Sequence, residues 1–292
     1  MTNLSPKIAF VINPNAGVKK KIDIISFVKA YFPESIPYDL IVWKNPFDFE
    51  AVKQQIASGN YTVVVACGGD GTVNMVSSVV MNTNMALGIL PLGSGNGLAR
   101  SNGIPLDLED ALQVIARSQI QTIDAALING IPFFCTAGVG FDALIADKFA
   151  ASTTRGFATY FKTSVREFFS YKPNEYVLTV DGQSLRTEAF LITVANAGQW
   201  GNDVYISPEA SLKDGILHIS ILKPFSVTAI GGIALRLFRK KIHTSRHLVS
   251  LNGKNIEIEF DGELPVHFDG EPLKARGKLS IRVVPQALKV VC

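Results

Sequence analysis

The chain of 292 residues lacks the long apolar run that a membrane-spanning helix requires. No stretch approaches the roughly 18 uninterrupted apolar residues needed to cross a bilayer, although 47% of the residues are hydrophobic. The first residues, MTNLSPKIAF, enter an apolar strand pattern too early for a secretory signal. The sequence therefore predicts a cytoplasmic protein with a large apolar core.

Paired cysteines, excess charge and several common catalytic motifs are also missing. The three cysteines, Cys67, Cys135 and Cys292, are odd in number and lack metal-ligand spacing, which fits a reducing compartment. A net charge of only +3, without an aromatic-basic motif, argues against nucleic acid as a partner. There is no Gly-x-Ser-x-Gly elbow, Gly-x-Gly-x-x-Gly fingerprint or P-loop lysine, so the corresponding esterase, dinucleotide and Walker-type sites are not indicated.

The most informative segment that is present is YTVVVACGGDGT, residues 61–72. Its β-branched residues predict a buried strand that stops at a glycine pair, followed by a helix over 73–81 with Thr72 as N-cap. Such a turn lets backbone N–H groups approach an anion near the positive end of the helix dipole. Asp70 would repel phosphate unless a divalent metal lies between them, or unless it takes a proton from an attacking hydroxyl. Phosphoryl transfer is the first hypothesis, and a tight turn without a ligand is the alternative.

Two further segments repeat the order of strand, glycine loop and helix. Residues 7–12 run into NPNAG at 13–17, and residues 86–90 run into PLGSGNG at 91–97. If all three strands are parallel, the loops meet at one edge of the sheet, where open α/β sheets bind ligands. Three converging loops favour a phosphate site over three unrelated turns.

The pattern of elements changes near residue 130, which predicts two domains. The helices predicted before that point lie near 19–32, 47–58, 72–82 and 107–118, and they alternate with apolar runs. Short strand patterns and turn pairs, such as Asp181-Gly182 and Asn252-Gly253, dominate after it. An α/β domain with a parallel sheet is therefore expected to precede a mostly β domain.

Two predicted helices interrupt the β half. Residues 155–171 carry Phe157, Tyr160, Phe161, Phe168 and Phe169 and are most simply a helix that faces the core. Residues 225–241 combine an apolar run with Arg239-Lys240-Lys241. The latter segment is either a buried helix with a solvated C-terminus or an apolar surface, edged with cations, that rests on an anionic membrane.

Acidic residues beside glycines recur in the second half of the chain. The motif FDGEP places Asp269 and Glu271 in one tight turn, and GVGFD is expected to be a loop that carries Asp142. Asp124 lies just before the domain change. Each of these patterns is also common in ordinary turns. His267 lies in a strand pattern and is expected to be structural.

The order of these motifs resembles that of the diacylglycerol kinase catalytic family, which includes soluble bacterial lipid kinases and the sphingosine and ceramide kinases. The motifs are NPNAG at 13–17, GGDGT at 68–72, PLGSGNGLAR at 91–100, GVGFD at 138–142, PEASLKDG at 208–215 and FDGEP at 268–272. The resemblance implies a phosphofructokinase-like α/β domain over 1–128 and a β-sandwich lipid-binding domain over 129–285. It also implies that residues 286–292 return to the first domain and that ATP binds in the cleft between the domains.

The resemblance also implies roles for residues of the three glycine loops. The residues that resemble nucleotide contacts are Asn13, Gly68, Gly69, Gly71, Thr72, Gly93, Ser94 and Asn96. Asp70 resembles the acid that acts as a general base or binds a metal-bound water. Asp269 and Glu271 resemble an acidic pair that faces the phosphates through magnesium, so these three carboxylates are the predicted catalytic residues.

Four further assignments follow from the resemblance. Asp124 resembles an acid of the magnesium-water network, and Asp214 resembles part of a structural cation site. Lys213 stands where several relatives have an acid, which weakens the case for that cation. Asp142 resembles a residue near the lipid headgroup, and Arg155 resembles a phosphate contact on the substrate side.

One position departs from the pattern of many bacterial relatives, because Gly97 stands where they carry Asp. Sphingosine kinases also have a small residue there. The resemblance implies a kinase that uses ATP and Mg²⁺ on a diacylglycerol-like lipid at a membrane surface, with a second copy of the chain as a further candidate partner. The alternatives are a sphingoid-base kinase, an NAD kinase and a non-catalytic lipid-binding protein.

Overall fold

The computed structural model describes residues 7–14, 23–43, 49–150 and 166–292. The chain divides into two compact units. The N-terminal unit consists of residues 1–123 and 286–292, and the C-terminal unit consists of residues 124–285. None of the described helices is long and apolar enough to cross a membrane.

The N-terminal unit is built on a parallel sheet, as the sequence predicts. Its strands are β1 (Ile8–Ile12), β2 (Tyr38–Val42), β3 (Val63–Gly68), β4 (Ala86–Pro91) and the end of β14 (Glu271–Val291). They lie in the order β2-β1-β3-β4-β14, and every neighbouring pair is parallel. Strands β1, β3 and β4 are buried along their whole length, which explains their unbroken apolar sequences.

Five helices of the described ranges accompany this sheet. They are α1 (Ile24–Tyr31), α2 (Phe49–Ser58), α3 (Asp70–Val80), α4 (Gly97–Ser101) and α5 (Leu108–Arg117). Asp23 and Asp107 cap α1 and α5 by accepting backbone N–H groups of the first turn. Helix α3 begins at Asp70 with Gly69 as N-cap. The prediction that Thr72 is the N-cap was therefore wrong, because the helix starts inside the glycine turn.

The C-terminal unit is mostly antiparallel β structure. Its strands are β5 (Ile120–Ile128), β6 (Ile131–Phe133), β7 (Thr136–Gly140), β8 (Asn174–Val180), β9 (Gln183–Ala189), β10 (Leu191–Ala195), β11 (Leu217–Leu222), β12 (Leu248–Gly253), β13 (Asn255–Phe268) and β14. Strands β5 and β14 also extend into the N-terminal unit. The main order is β12-β11-β10-β7-β13-β14, with β8 on β13 and β9 on β8. An apolar core that includes Phe133, Tyr176 and Ile258 packs within this unit.

Two Asp-Gly pairs make the tight turns that their sequence predicts. Asp181-Gly182 and Asp269-Gly270 have positive φ at both residues and connect adjacent antiparallel strands. Positive φ at both central residues is typical of a type I′ hairpin. The FDGEP motif is therefore the turn between β13 and β14.

The described part of the C-terminal unit also contains helices and short 3₁₀ turns. They are α6 (Phe141–Ala150), α7 (Ile230–Phe238), Val227–Ala229 and Ile242–Thr244. The prediction that GVGFD is a loop was wrong, because it is the end of β7 and the start of α6. A Cβ atom on Gly138 would lie 2.4 Å from the Ile192 carbonyl oxygen, so the glycine allows β10 to approach closely.

The predicted helix over residues 155–171 lies largely outside the described residues. Its described end has a helical turn at 166–168. The Phe168 ring there lies 5.6 Å from the rings of Phe190 and Phe225, centroid to centroid. Arg155 lies outside the described residues.

Candidate active site

Two glycine loops of the N-terminal unit touch through their backbones. A Cβ atom on Gly93 would lie 2.7 Å from the Cα atom of Gly69, and one on Gly69 would lie 3.3 Å from the Cα atom of Gly93. The two loops follow β3 and β4, which are adjacent and parallel. Only residues without a side chain allow this approach, so the glycines define a narrow backbone-lined edge at the carboxyl end of the sheet.

Asp70 joins the same two loops through its side chain. Its Oδ2 atom accepts the backbone N–H of Asn96 at 3.0 Å, and its Oδ1 atom accepts that of Gly97 at 2.7 Å. A Cβ atom on Gly95 would lie 2.6 Å from Asp70 Oδ2. The carboxylate predicted from the GGDGT motif therefore also holds the second loop in place.

The environment of Asp70 favours its protonated form more than water does. Withdrawal of the carboxyl from water raises its pKa, while the hydrogen bonds from Gly97 and Asn96 act in the opposite direction. A carboxyl with a raised pKa is better matched to accepting a proton near neutral pH than an ordinary aspartate.

The second loop is closed by Asn96, which has a left-handed backbone conformation with φ of 51°. Its Oδ1 atom accepts the N–H of Gly93 at 3.0 Å, and its Nδ2 atom donates to the Gly93 carbonyl at 2.8 Å. Arg100 Nε donates to the Gly95 carbonyl at 3.1 Å. Ser94 is exposed at the tip. The Asn96 side chain thus shapes the loop, and its direct contact with a nucleotide stays a prediction.

The first loop is tied to the GGDGT turn through Asn13. Its Nδ2 atom donates to Thr72 Oγ1 at 3.0 Å, and its backbone N–H donates to the Cys67 carbonyl at 3.3 Å. A Cβ atom on Gly68 would lie 2.4 Å from Thr72 Cβ, so Gly68 makes room for this side chain. Gly71 lies in the first turn of α3. The structure therefore brings the predicted phosphate residues of this unit together, while residues 15–22 lie outside the described part of the chain.

The C-terminal unit holds Asp269 in a tight cradle of backbone N–H groups. Its Oδ2 atom accepts from Phe134 at 2.9 Å, and its Oδ1 atom accepts from Cys135 at 2.8 Å and Thr136 at 3.1 Å. Its own N–H donates to the Thr136 carbonyl. Glu271, the other acid of the turn, is exposed at the start of β14. Asp269 is thus a fixed element of the turn, while Glu271 is open to solvent.

Asn196 joins this cradle to Asp124, and the sequence did not suggest it. Its Nδ2 atom donates to the carbonyls of Asp124 and Phe134 at 3.0 and 2.8 Å. Asp124 is buried, and its Oδ2 atom accepts the N–H of Gly215 at 2.7 Å. The Oδ1 atom of Asn196 is buried and has no hydrogen-bond partner among the described residues. The sequence feature that could have pointed to Asn196 is its position as a polar residue directly after the apolar strand LITVA.

Asp214 lies beside this group, but its carboxylate is already engaged. Its Oδ1 atom accepts the N–H of Ile216 at 3.2 Å, and its Oδ2 atom lies 3.2 Å from His218 Nε2. Within the described ranges, no three His, Cys, Asp or Glu side chains are arranged to hold a metal ion. The metal roles of Asp124 and Asp214 stay predictions.

Asp142 belongs to a buried cluster with His267 and Thr193. Its Oδ2 atom accepts the Thr193 hydroxyl at 2.9 Å and lies 3.0 Å from His267 Nε2, and its Oδ1 atom accepts the N–H of Ala143. All three side chains of the cluster are buried. In the sequence, the feature that could have indicated this cluster is Thr193, a polar residue inside an otherwise apolar strand. The cluster shows that Asp142 already has partners within the protein.

The chain thus combines a parallel α/β unit that has a glycine-lined edge with an antiparallel β unit. Residues 7–128 match the model of the diacylglycerol kinase catalytic domain, and residues 135–292 match that of the YegS C-terminal NAD kinase beta sandwich-like domain. The chain belongs to the lipid kinase family that combines these two domains. The predicted fold class, with its C-terminal β-sandwich, is confirmed.

Individual relatives agree with this placement. A protein of Yersinia enterocolitica named probable lipid kinase YegS-like is 25% identical over 91% of both chains. A protein of the same name from Klebsiella pneumoniae is 29% identical over 79% of this chain and 77% of the relative. A Synechocystis protein of uncharacterized function is 28% identical over 82% of this chain, which spans only 57% of that longer relative.

Solved structures share the fold. A diacylglycerol kinase structure from Bacillus anthracis has a TM-score of 0.76 at 20% identity and covers all of this chain and 98% of its own. An NAD kinase of Archaeoglobus fulgidus in complex with ATP has a TM-score of 0.56 at 13% identity, over 98% of this chain and 93% of its own. At these identities the likeness concerns the fold alone.

Proposed function

We propose that the chain transfers the γ-phosphoryl group of Mg-ATP to a hydroxyl group of a lipid such as diacylglycerol or a related alcohol. The observation that carries this proposal is the double hydrogen bond of Asp70 to Asn96 and Gly97, which places a carboxylate beside the glycine-lined edge. Family membership supports the kinase class, and the relatives' names support a lipid acceptor.

The glycine loops of the N-terminal unit would bind the phosphates of the nucleotide. The first N–H groups of an α-helix have no partner within the helix, and α3 begins directly in the GGDGT turn. The contact of Gly69 with Gly93 leaves that backbone free of side chains. Backbone N–H groups and the positive end of the helix dipole together favour an anion at this position.

Asp70 would act as the base. The lipid hydroxyl attacks the γ-phosphorus in line as its proton passes to Asp70, and the bond to the β,γ-bridging oxygen breaks to leave ADP. The raised pKa of Asp70 suits this proton transfer. Glu271 is the second candidate, because it is the solvent-open acid of the FDGEP turn.

Magnesium would accompany the nucleotide, since this ion keeps several waters and usually takes only one or two carboxylates besides the substrate phosphates. The Oδ1 atom of buried Asn196 has no hydrogen-bond partner within the described part of the chain, and the Nδ2 atom of the same side chain binds the Asp124 carbonyl. Such an oxygen offers the chemistry that a hydrated Mg²⁺ prefers. Asp124 and Asn196 would hold the ion's water shell. Bound magnesium would neutralise charge that develops on the transferred phosphoryl group.

The acceptor is most simply a neutral lipid alcohol. A sphingoid base would need a carboxylate for its ammonium group, and Asp142 is already bound to Thr193 and His267. Both carboxylate oxygens of Asp142 already have hydrogen-bond partners, so an ammonium group would have to share or displace one of them. The role of Asp142 near the headgroup and the role of Arg155 as a phosphate contact on the substrate side remain part of the proposal.

A substrate panel tests the proposal directly. The protein is given ATP labelled in its γ-phosphate, with magnesium, and diacylglycerol, phosphatidylglycerol, sphingosine, ceramide or NAD. Label is expected in a lipid, with diacylglycerol as the best acceptor, and chelation of magnesium should abolish it. Label that appears only in NADP would refute the lipid assignment. Transfer to no acceptor at all would leave a non-catalytic lipid-binding protein.

The Gly93→Ala variant tests the glycine-lined edge. The new methyl group would meet the Gly69 backbone and Asn96 Oδ1, at 2.7 and 2.9 Å, so the two loops must separate. ATP binding, measured by calorimetry, is expected to weaken by at least tenfold, or about 1.4 kcal/mol. The matched Gly231→Ala variant has no neighbour within 4 Å and should bind ATP normally. Equal affinities in the two variants would place the nucleotide elsewhere.

A further inference from the structure

The connection between β11 and β12, residues 223–247, is much longer than the pairing of these strands requires. The strands are adjacent and antiparallel, with Leu222 opposite Leu248, and such neighbours can be joined by two residues. The chain instead forms two 3₁₀ turns and α7. The backbone N–H of Lys223 donates to the His247 carbonyl at 2.8 Å, so a hydrogen bond joins the first and last residues of the connection. We call residues 223–247 the α7 segment.

One side of the α7 segment is packed on the C-terminal unit. Ile233 and Ile242 are buried in an apolar cluster with Phe190 and Ile206. This packing fixes the segment in place. The sequence analysis offered a buried helix as one interpretation of residues 225–241, and this interpretation is correct for the packed side alone.

The other side presents large apolar side chains to solvent. Val227, Leu235 and Phe238 are 55%, 50% and 53% exposed, and Leu235 and Phe238 share a face of α7 by their spacing. Phe169, which is 70% exposed, follows Phe168, whose ring contacts that of Phe225. Single exposed apolar residues need no explanation, but a group on one short segment marks an interaction surface.

The charges of the α7 segment have one sign. It contains Lys223, Arg236, Arg239, Lys240, Lys241 and Arg246, and it contains no Asp or Glu. In the described ranges, none of these six cations forms an ion pair with a carboxylate. Lys240 lies instead over the Tyr205 ring, with Nζ 4.3 Å from its centroid. The surface is therefore apolar and cationic, and carboxylates of the described ranges do not neutralise its positive charges.

We propose that the α7 segment docks the protein on an anionic lipid bilayer. Exposed Leu and Phe side chains flanked by Lys and Arg match the boundary between acyl chains and anionic headgroups. A second copy of the chain fits less well, because a two-fold contact through this surface would place two cationic patches against each other. The α7 segment contains none of the residues that the proposed phosphoryl transfer uses.

Vesicle sedimentation without nucleotide tests the docking surface, so the result does not depend on whether the protein transfers phosphate. The full chain should bind phosphatidylcholine vesicles that contain phosphatidylglycerol, and bind pure phosphatidylcholine much more weakly. The double variant Arg239→Glu, Lys241→Glu should lose roughly 25-fold in affinity, about fivefold for each cation removed. Leu235→Ser with Phe238→Ser should also weaken binding. Added salt should weaken the binding of the parent protein, which tests the charge contribution without a mutation.

Matched variants on the N-terminal unit serve as controls. Lys29→Glu with Arg117→Glu makes the same change of net charge at exposed positions, and Ile120→Ser removes an apolar side chain that is 53% exposed. Both should bind vesicles like the parent. Unchanged binding by the α7 variants, equal binding to both vesicle types, or dimers that Phe238→Ser disrupts would each overturn the proposal. An acidic protein partner would be indicated if the parent binds no vesicles.

Discussion

Replacing Asp70 with Asn is expected to reduce phosphoryl transfer by roughly two to four orders of magnitude, the range typical of a lost general base. The variant should still fold. Asn keeps one acceptor for the backbone N–H groups of Asn96 and Gly97 but loses the other, at a cost of about 1 kcal/mol. Removing a carboxylate that is costly to ionise offsets part of that cost. The measurement is kcat with labelled ATP, alongside calorimetric ATP binding.

The separation of kcat from ATP affinity decides what Asp70 does. A base alters kcat, whereas a residue that only holds the second loop alters ATP affinity as well, so ATP binding within a few-fold of the parent is expected. The exposed Asp110→Asn variant controls for the change of charge. Full turnover by Asp70→Asn would remove Asp70 from the base role and move attention to Glu271 and Asp269.

Asp70 also predicts a pH dependence with a definite sign. Its folded-state pKa is raised, so transfer should fall as the pH is lowered through a value above the usual aspartate pKa of about 3.9. The folded state also holds that proton more tightly than the unfolded state does. The stability that this group contributes is therefore present below its unfolded pKa and lost as the pH rises through its folded pKa. The Asp70→Asn variant should lack this loss, which urea unfolding at several pH values can measure.

Replacing Asp269 with Ala is expected to give a large loss of stability, at least about 3 kcal/mol. Three backbone N–H groups of buried residues, Phe134, Cys135 and Thr136, lose the carboxylate acceptor that Asp269 provides, and each such loss costs about 1–3 kcal/mol. Ala must also adopt a φ near 49°, which Asn tolerates better. Asp269→Asn should therefore lie between the parent and the Ala variant in urea unfolding.

Asp181 provides the matched control for this prediction. It occupies the same place in the other Asp-Gly hairpin, with φ of 46°, and its carboxylate accepts the N–H groups of Lys254 and Asn255. Asp181 is exposed, so water can replace its carboxylate. Asp181→Ala should consequently cost clearly less than Asp269→Ala. Equal losses would show that backbone conformation, not the buried N–H groups, sets the cost.

Much of the fold follows from local patterns that tertiary structure leaves intact. The apolar runs before the three glycine loops are β1, β3 and β4, and Asp181-Gly182 is a hairpin turn. Strand β9, QSLRTEA, was missed because it is almost entirely exposed and shows no apolar alternation. The start of α3 was misplaced because the Thr72 hydroxyl accepts from Asn13, a partner distant in the sequence.

The contacts of the site were harder to predict than its members. From the sequence, Asp70, Asp124, Asp142 and Asp269 were predicted to be catalytic, metal-binding or substrate-binding residues. It could not show that each carboxylate is bound by backbone or side-chain groups far along the chain, because those partners are set by sheet register. Asn196 shows the same limit, since its side chain matters only once Asp124 and Phe134 lie beside it.

The long final strand has a consequence for how the protein is made. Lys289 and Val290 of β14 pair with Ala86 and Leu87 of β4, and Val291 enters the core of the N-terminal unit. The ribosome synthesises these residues only after the whole C-terminal unit. Until then β4 has an open edge, of the kind that invites pairing with another chain. A nascent chain therefore cannot complete its first domain before its second has emerged, and this interval is when chaperones would protect it.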